Sequence, residues 1–167
     1  VMVGTHNFKG KLYDTTVDTS DIANMRSNNV VVNATTVGTN SWNNAAFGVV
    51  NGAYSAITGA YDGGGFRPNS AQNFGATITG SLNSIESKTA SSNYSGIANS
   101  IVGVANRTFN SNGSLIYGAG NEITNSITNI SAPSDSGSSA KEFADKLRTA
   151  ITGSKSGGAT LAIGGGN

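Results

Sequence analysis

Four stretches of this chain repeat one form: a small residue, two or three apolar residues, a glycine, two further residues and an asparagine. They run from Ala45 to Asn51, Ser100 to Asn106, Ser114 to Asn121 and Thr160 to Asn167. Gly48, Gly103, Gly118 and Gly164 each stand three places before Asn51, Asn106, Asn121 and Asn167. Ser55 to Gly59 with Asp62 is a degenerate fifth copy. Ser41 and Ser55, Ser70 and Ser84, and Ser100 and Ser114 are each fourteen residues apart. That interval is too short for helix-pair or propeller repeats, but it holds two strands of about five residues and two tight turns. An apolar stub ended by Gly is too short for a stable helix and ordinary for a strand.

The predicted fold is therefore mainly β: a parallel β-roll or solenoid of roughly 14-residue coils. Gly and Asn are expected at the turn positions that need φ > 0. Stacking brings Gly48, Gly103, Gly118 and Gly164 into phase and aligns the recurrent asparagines into side-chain amide ladders. A β-branched residue at Gly103 or Gly118 is expected to cost roughly 1–2 kcal/mol or more if the glycine holds φ > 0.

Charge is scarce. Only 11% of the 167 residues are charged, and between Val30 and Thr79 only Asp62 and Arg67 are. Neutral Asn, Ser and Thr supply the polar surface instead, and they stack in register without like-charge repulsion. A net charge of +1 lacks the electrostatic footprint of a nucleic-acid binder or a polybasic membrane anchor. There is no Cys, so disulfide staples and thiolate metal sites are excluded. No apolar run approaches the roughly 18 residues of a membrane span, and no signal peptide opens the stretch; targeting and anchoring parts are expected elsewhere.

Residues 1–33 read as an irregular N-terminal cap or edge segment, holding His6, Lys9, Lys11, Asp14, Asp18, Asp21 and Arg26. The three aspartates do not match the alternate-residue spacing of a calcium loop, and no metal is assigned. Residues 34–130 carry the roll repeats, with Val30 to Val32 and Thr35 to Gly38 as the first strand. Two stretches break the rhythm, Asp62 to Asn69 and Glu86 to Ser95, and both read as surface loops. The three glycines from Gly63 lack the Lys-Ser/Thr and strand-to-helix context of a phosphate cradle.

Residues 131–157 form a linker and an inserted helix near 139–151. Ala140, Phe143, Ala144, Leu147, Ala150 and Ile151 keep helical spacing, and Ser139 with Glu142 makes a capping box. Lys146 and Arg148 are placed to favour the C-terminal dipole, and Gly153 to end the helix. The apolar stripe is expected to pack on the roll, with a partner-binding face as the alternative. Residues 158–167 resume the repeat.

Ile101-Val102 and Leu115-Ile116-Tyr117 are apolar at consecutive positions, so both strand faces need cover. One face fills the roll; the other calls for further copies of the chain. The repeats from Asn99 to Asn106 and from Gly113 to Asn121 resemble the YadA-like head of trimeric autotransporter adhesins. The resemblance covers roughly Val30 to Asn129 and the last eight residues. It implies a left-handed parallel roll, a homotrimer, export by the type V route and display on the outer membrane of a diderm bacterium. It also implies attachment to extracellular-matrix proteins, host cells or other bacteria. The neck that joins such heads to a coiled coil is not evident.

Tyr61, Phe66, Arg67 and Tyr94 lie in the interruptions and are the candidate ligand-binding residues. No catalytic residue or cofactor is assigned. A carbohydrate-cleaving solenoid needs paired carboxylates, and Asp62 with Glu86 or Glu122 is the pairing the roll offers. A structural spacer or fibre-like segment without its own ligand is the other alternative; an ice-binding face lacks the needed ranks of Thr. Sequons at Asn33, Asn93, Asn106, Asn112 and Asn129 are expected by chance in a chain this rich in Asn, Ser and Thr.

Overall fold

The computed structural model describes residues 1–9, 25–26, 34–45, 47–58, 73–86, 95–127, 137–153 and 160–167. The chain passes back and forth between two sheets. β1 (Met2–Thr5), β2 (Phe8–Lys9) and β3 (Met25–Arg26) come first, then β4 (Thr35–Thr39) with β5 (Trp42–Asn43), and β6 (Val49–Ala53) with β7 (Ala56–Thr58). β8 (Thr77–Ser81) with β9 (Ser84–Glu86), β10 (Ser100–Val104) with β11 (Arg107–Phe109), and β12 (Leu115–Ala119) with β13 (Glu122–Thr124) follow. The helix α1 (Ala140–Gly153) precedes β14 (Leu161–Gly165). Sheet A stacks β1, β4, β6, β8, β10, β12 and β14; sheet B stacks β13, β11, β9, β7, β5, β2 and β3. Every one of these pairings is parallel, an arrangement compatible with a β-solenoid or roll.

Period-two alternation decides what lies between the sheets. On sheet A the inward column is Thr36, Val50, Ile78, Ile101, Ile116 and Ala162; on sheet B it is Asn43, Ile57, Ile85, Thr108 and Ile123. All are buried. Each isoleucine removed from water contributes roughly 1.5–3 kcal/mol, and the stacked isoleucines form the core.

One glycine per rung lies in register down sheet A: Gly4, Gly38, Gly52, Gly80, Gly103, Gly118 and Gly164. At Gly103, φ is 138°, and a Cβ there would lie 1.8 Å from the carbonyl oxygen of Gly118. Only glycine permits the sheet to close at this position.

Three residues after each glycine stands Asn7, Ser41, Ser55, Asn83, Asn106, Asn121 or Asn167, and these side chains form a continuous ladder. Asn106 Nδ2 donates to Gly118 O at 2.8 Å and to Asn83 Oδ1 at 3.0 Å, while Asn106 Oδ1 accepts from Asn121 N and Nδ2, each at 3.0 Å. Asn121 repeats the pattern toward Gly164 at 2.9 Å and Asn167 at 2.8 Å. The Gly118 and Gly164 carbonyls and the Asn121 N–H are thereby paired by ladder side chains.

Register corrects the repeat as read from the sequence. Gly48 is not in phase with Gly103, Gly118 and Gly164; Gly52 holds that place, and Asn51 faces outward on β6 beside Val37 and Thr79. Ser55 substitutes for the ladder Asn in this rung, so the true signature is Gly52 to Ser55. Gly48 lies in the turn before β6, where its N–H donates to Ala45 O. The left-handed turn position also falls one residue before the ladder residue, at His6, Asn40, Tyr54, Leu82 and Ala105, rather than on the Asn itself. Residues 2–9, expected to be irregular, contain a regular rung with Gly4 and Asn7.

Ladder partners are 14 and 15 residues apart for Ser41–Ser55 and Asn106–Asn121, but 23, 28, 34 and 46 elsewhere. The extra length enters after the chain has reached sheet B and before it next joins sheet A, with β3 of sheet B lying within the first such stretch. The turn from A to B keeps one length throughout.

The helix forms as its caps require. Ser139 Oγ accepts from Glu142 N at 3.1 Å, and the Glu142 carboxylate accepts from Ser138 N and Oγ at 3.0 and 2.8 Å. Its environment differs from expectation: no residue of α1 is buried, and Phe143, Leu147 and Ile151 are 47%, 40% and 65% exposed. Among the described residues, the stripe does not pack on the two sheets. Lys146 and Arg148 also fall short of the last turn, which runs to Gly153 and holds no basic residue.

Candidate interaction surface

Outward residues of sheet A form columns at the first and third strand positions. Toward β1 they include Val3, Val37 and Val49; across β8 they are Thr77 and Thr79, with Thr77 Oγ1 donating to Ser100 Oγ at 2.9 Å. On β12 and β14 they become wholly apolar: Leu115 and Tyr117 pair with Leu161 and Ile163. Tyr117, Leu161 and Ile163 are 61%, 59% and 64% exposed, though their neighbours Ile116 and Ala162 are buried. These two strands are apolar on both faces, and exposed apolar patches of this kind mark contact sites.

The outer face of sheet B carries charge. Arg107 lies between two glutamates on adjacent strands. Its Nε and Nη2 donate to the two carboxylate oxygens of Glu86 at 3.1 and 2.7 Å, and Nη1 donates to Glu122 Oε1 at 2.5 Å. The guanidinium also stands 4.8 Å from the centre of the Phe109 ring. Burial pushes the Glu86 carboxyl up, but the Arg107 hydrogen bonds, the Ser84 hydroxyl at 2.8 Å and the Arg107 charge outweigh it and hold the group below its ordinary value. The Glu86 hydrogen bonds raise the Arg107 value against partial desolvation, with Glu122 adding to the shift. Glu86 and Glu122, weighed as catalytic carboxylates, thus share one cation, and Glu86 holds no proton to donate near neutral pH. Their partner could have been found from sequence only once the register was known.

Tyr61, Phe66, Arg67 and Tyr94 lie outside the described residues, as do Asp62, Asp14, Asp18 and Asp21. In the chain, Tyr61, Phe66 and Arg67 fall between β7 and β8, and Tyr94 between β9 and β10, so both groups leave sheet B and return to sheet A. The described part of that edge presents a pair that sequence reasoning missed: Phe47 and Phe74, with ring centroids 5.3 Å apart. Phe47 holds φ at 56° while half exposed, an uncommon conformation for a bulky side chain. Among the described residues no group of three or more His, Cys, Asp or Glu is placed to hold a metal ion.

Of the sequons, Asn106 and Asn112 are 1% and 0% exposed, and the Asn106 amide is committed to the ladder. Neither is accessible for glycosylation in the folded chain.

No family model matches the chain, and comparison with curated proteins and with solved structures likewise gives no match.

Proposed function

We propose that the chain is the head fragment of a trimeric adhesin displayed at the surface of a diderm bacterium and exported by the type V route. In this proposal the two parallel sheets wind as a left-handed roll of short coils, and three copies pack around one axis through the outer face of sheet A. The observation that carries it is the two-sided apolar character of β12 and β14: Leu115, Tyr117, Leu161 and Ile163 are large and exposed in one chain. Three copies then supply three sets of the candidate contact residues Tyr61, Phe66, Arg67 and Tyr94. Contacts with matrix proteins, host cells or other bacteria that are weak singly combine into avidity of about 10²–10⁴ over one site.

Light scattering on the purified chain tests the assembly. A mass near three chains is expected, and Ile163→Lys is expected to reduce it to one; a folded wild-type monomer overturns the assembly. Binding to immobilised matrix proteins and to intact host and bacterial cells tests adhesion. Loss of binding on joint replacement of Tyr61, Phe66, Arg67 and Tyr94 by Ala is expected. A trimer that binds none of these surfaces would instead be a structural spacer.

A further inference from the structure

Three independent weaknesses meet at one seam, between the β4/β5 rung and the β6/β7 rung. The first is the interior. Between the sheets, the β4/β5 rung places two polar residues, Thr36 and Asn43, where later rungs place Val50 and Ile57, Ile78 and Ile85, Ile101 and Thr108, or Ile116 and Ile123. Thr36 is fully buried and its Oγ1 has no hydrogen-bond partner, an uncompensated desolvation. Asn43 is satisfied, but by Thr35 O at 3.0 Å and Gly48 O at 3.2 Å rather than by packing.

The second is the ladder. Between Asn83, Asn106 and Asn121 its side-chain bonds are 3.0 Å or shorter, whereas across this seam Ser55 N to Ser41 Oγ is 3.4 Å. A serine also has one proton to give, and Ser41 Oγ faces both Thr39 O at 3.1 Å and Gly52 O at 3.2 Å. The third is pairing. β5 meets β7 over two residues, while β7, β9, β11 and β13 pair over three.

We infer that the described strands β1, β2, β4 and β5 form a separately opening unit, which detaches at this seam while β6 to β13 stay folded. Opening costs the seam's bonds and uncovers apolar side chains on one side only, Val50 and Ile57, whereas opening at the next seam exposes apolar residues on both sides, Val50 and Ile57 against Ile78 and Ile85. It leaves the edges of β6 and β7 free to accept another strand.

Native-state hydrogen exchange of the full 167-residue chain, followed by mass spectrometry, tests it. In the wild type, amides of β4 and β5 are expected to exchange at least tenfold faster than those of β10 and β12. Ile116→Val, which deletes one buried methylene among the later rungs, is expected to speed β10 and β12 about fivefold and leave β4 and β5 unchanged. Thr36→Val, which removes the unpartnered hydroxyl and keeps the shape, is expected to slow β4 and β5 about tenfold. Equal factors in the two stretches for Ile116→Val, or an unchanged β4 and β5 in Thr36→Val, overturn the inference.

Discussion

Gly103→Ala puts the stacking geometry to its sharpest test. The added methyl would start 1.8 Å from the Gly118 carbonyl oxygen, and real Cβ atoms stay beyond 3.0 Å, so strands β10 and β12 must part locally. Parting lengthens the 2.8 Å bond from Asn106 Nδ2 to that same carbonyl and its backbone neighbours. A φ of 138° adds strain of roughly 1–3 kcal/mol for any residue with a side chain. With about 1 kcal/mol for each hydrogen bond lost, the sum is about 3–5 kcal/mol, a large share of the 5–15 kcal/mol typical of a domain. For a chain of this length that lowers Tm by about 6–20 °C. Gly75→Ala is the control. Gly75 also holds a positive φ, 66°, but a Cβ there meets nothing within 4 Å. Its cost is expected to be about 1–2 kcal/mol. Urea and thermal unfolding at one fixed chain concentration measure both variants, because any association makes Tm concentration-dependent. Equal losses in the two, or a loss under about 1 kcal/mol for Gly103→Ala, would refute steric closure of the glycine column.

Asn106→Ala removes the hydrogen-bond partners of buried Asn121 N and Gly118 O, and a loss of about 2–4 kcal/mol is expected in urea unfolding. Ile163→Lys is expected to leave the secondary structure seen by circular dichroism unchanged while abolishing self-association in light scattering. The Glu86 carboxyl is held below 4.5 when folded, so the unfolded chain takes up its proton first as pH falls. Its contribution is complete above pH 4.5 and is lost as pH drops through the lower folded value. Glu86→Gln should therefore flatten this part of the stability profile, measured as the urea midpoint between pH 6 and pH 3.

The sequence made the later rungs legible because Gly103, Gly118 and Gly164 each precede an asparagine at the same interval. Earlier rungs were hidden for two physical reasons. A serine hydroxyl at Ser41 and Ser55 can replace the ladder amide, so the signature loses its Asn. Extra chain enters at the sheet B to sheet A return, so Gly52, Gly80 and Gly103 are unevenly spaced although they stack directly. Ala45 to Asn51 then matched the pattern by composition, four residues out of register. The helix was readable from Ser139, Glu142 and the spacing of Phe143, Leu147 and Ile151, because caps and periodicity are local. What covers its stripe is not local, and spacing shows only which face is apolar. Arg107 escaped notice because Glu86 and Glu122 lie 21 and 15 residues away, distances with no meaning until the register is fixed.

The glycine column also screens newcomers. A strand that lands beside β1 and continues the stack must offer, opposite Gly4, a residue with no side chain at all, since even a methyl at Gly4 itself would collide with the next rung's carbonyl at 1.7 Å. At the β1 edge the glycine column thus gives protection from fibrous stacking with strangers, while leaving room for strands of its own kind.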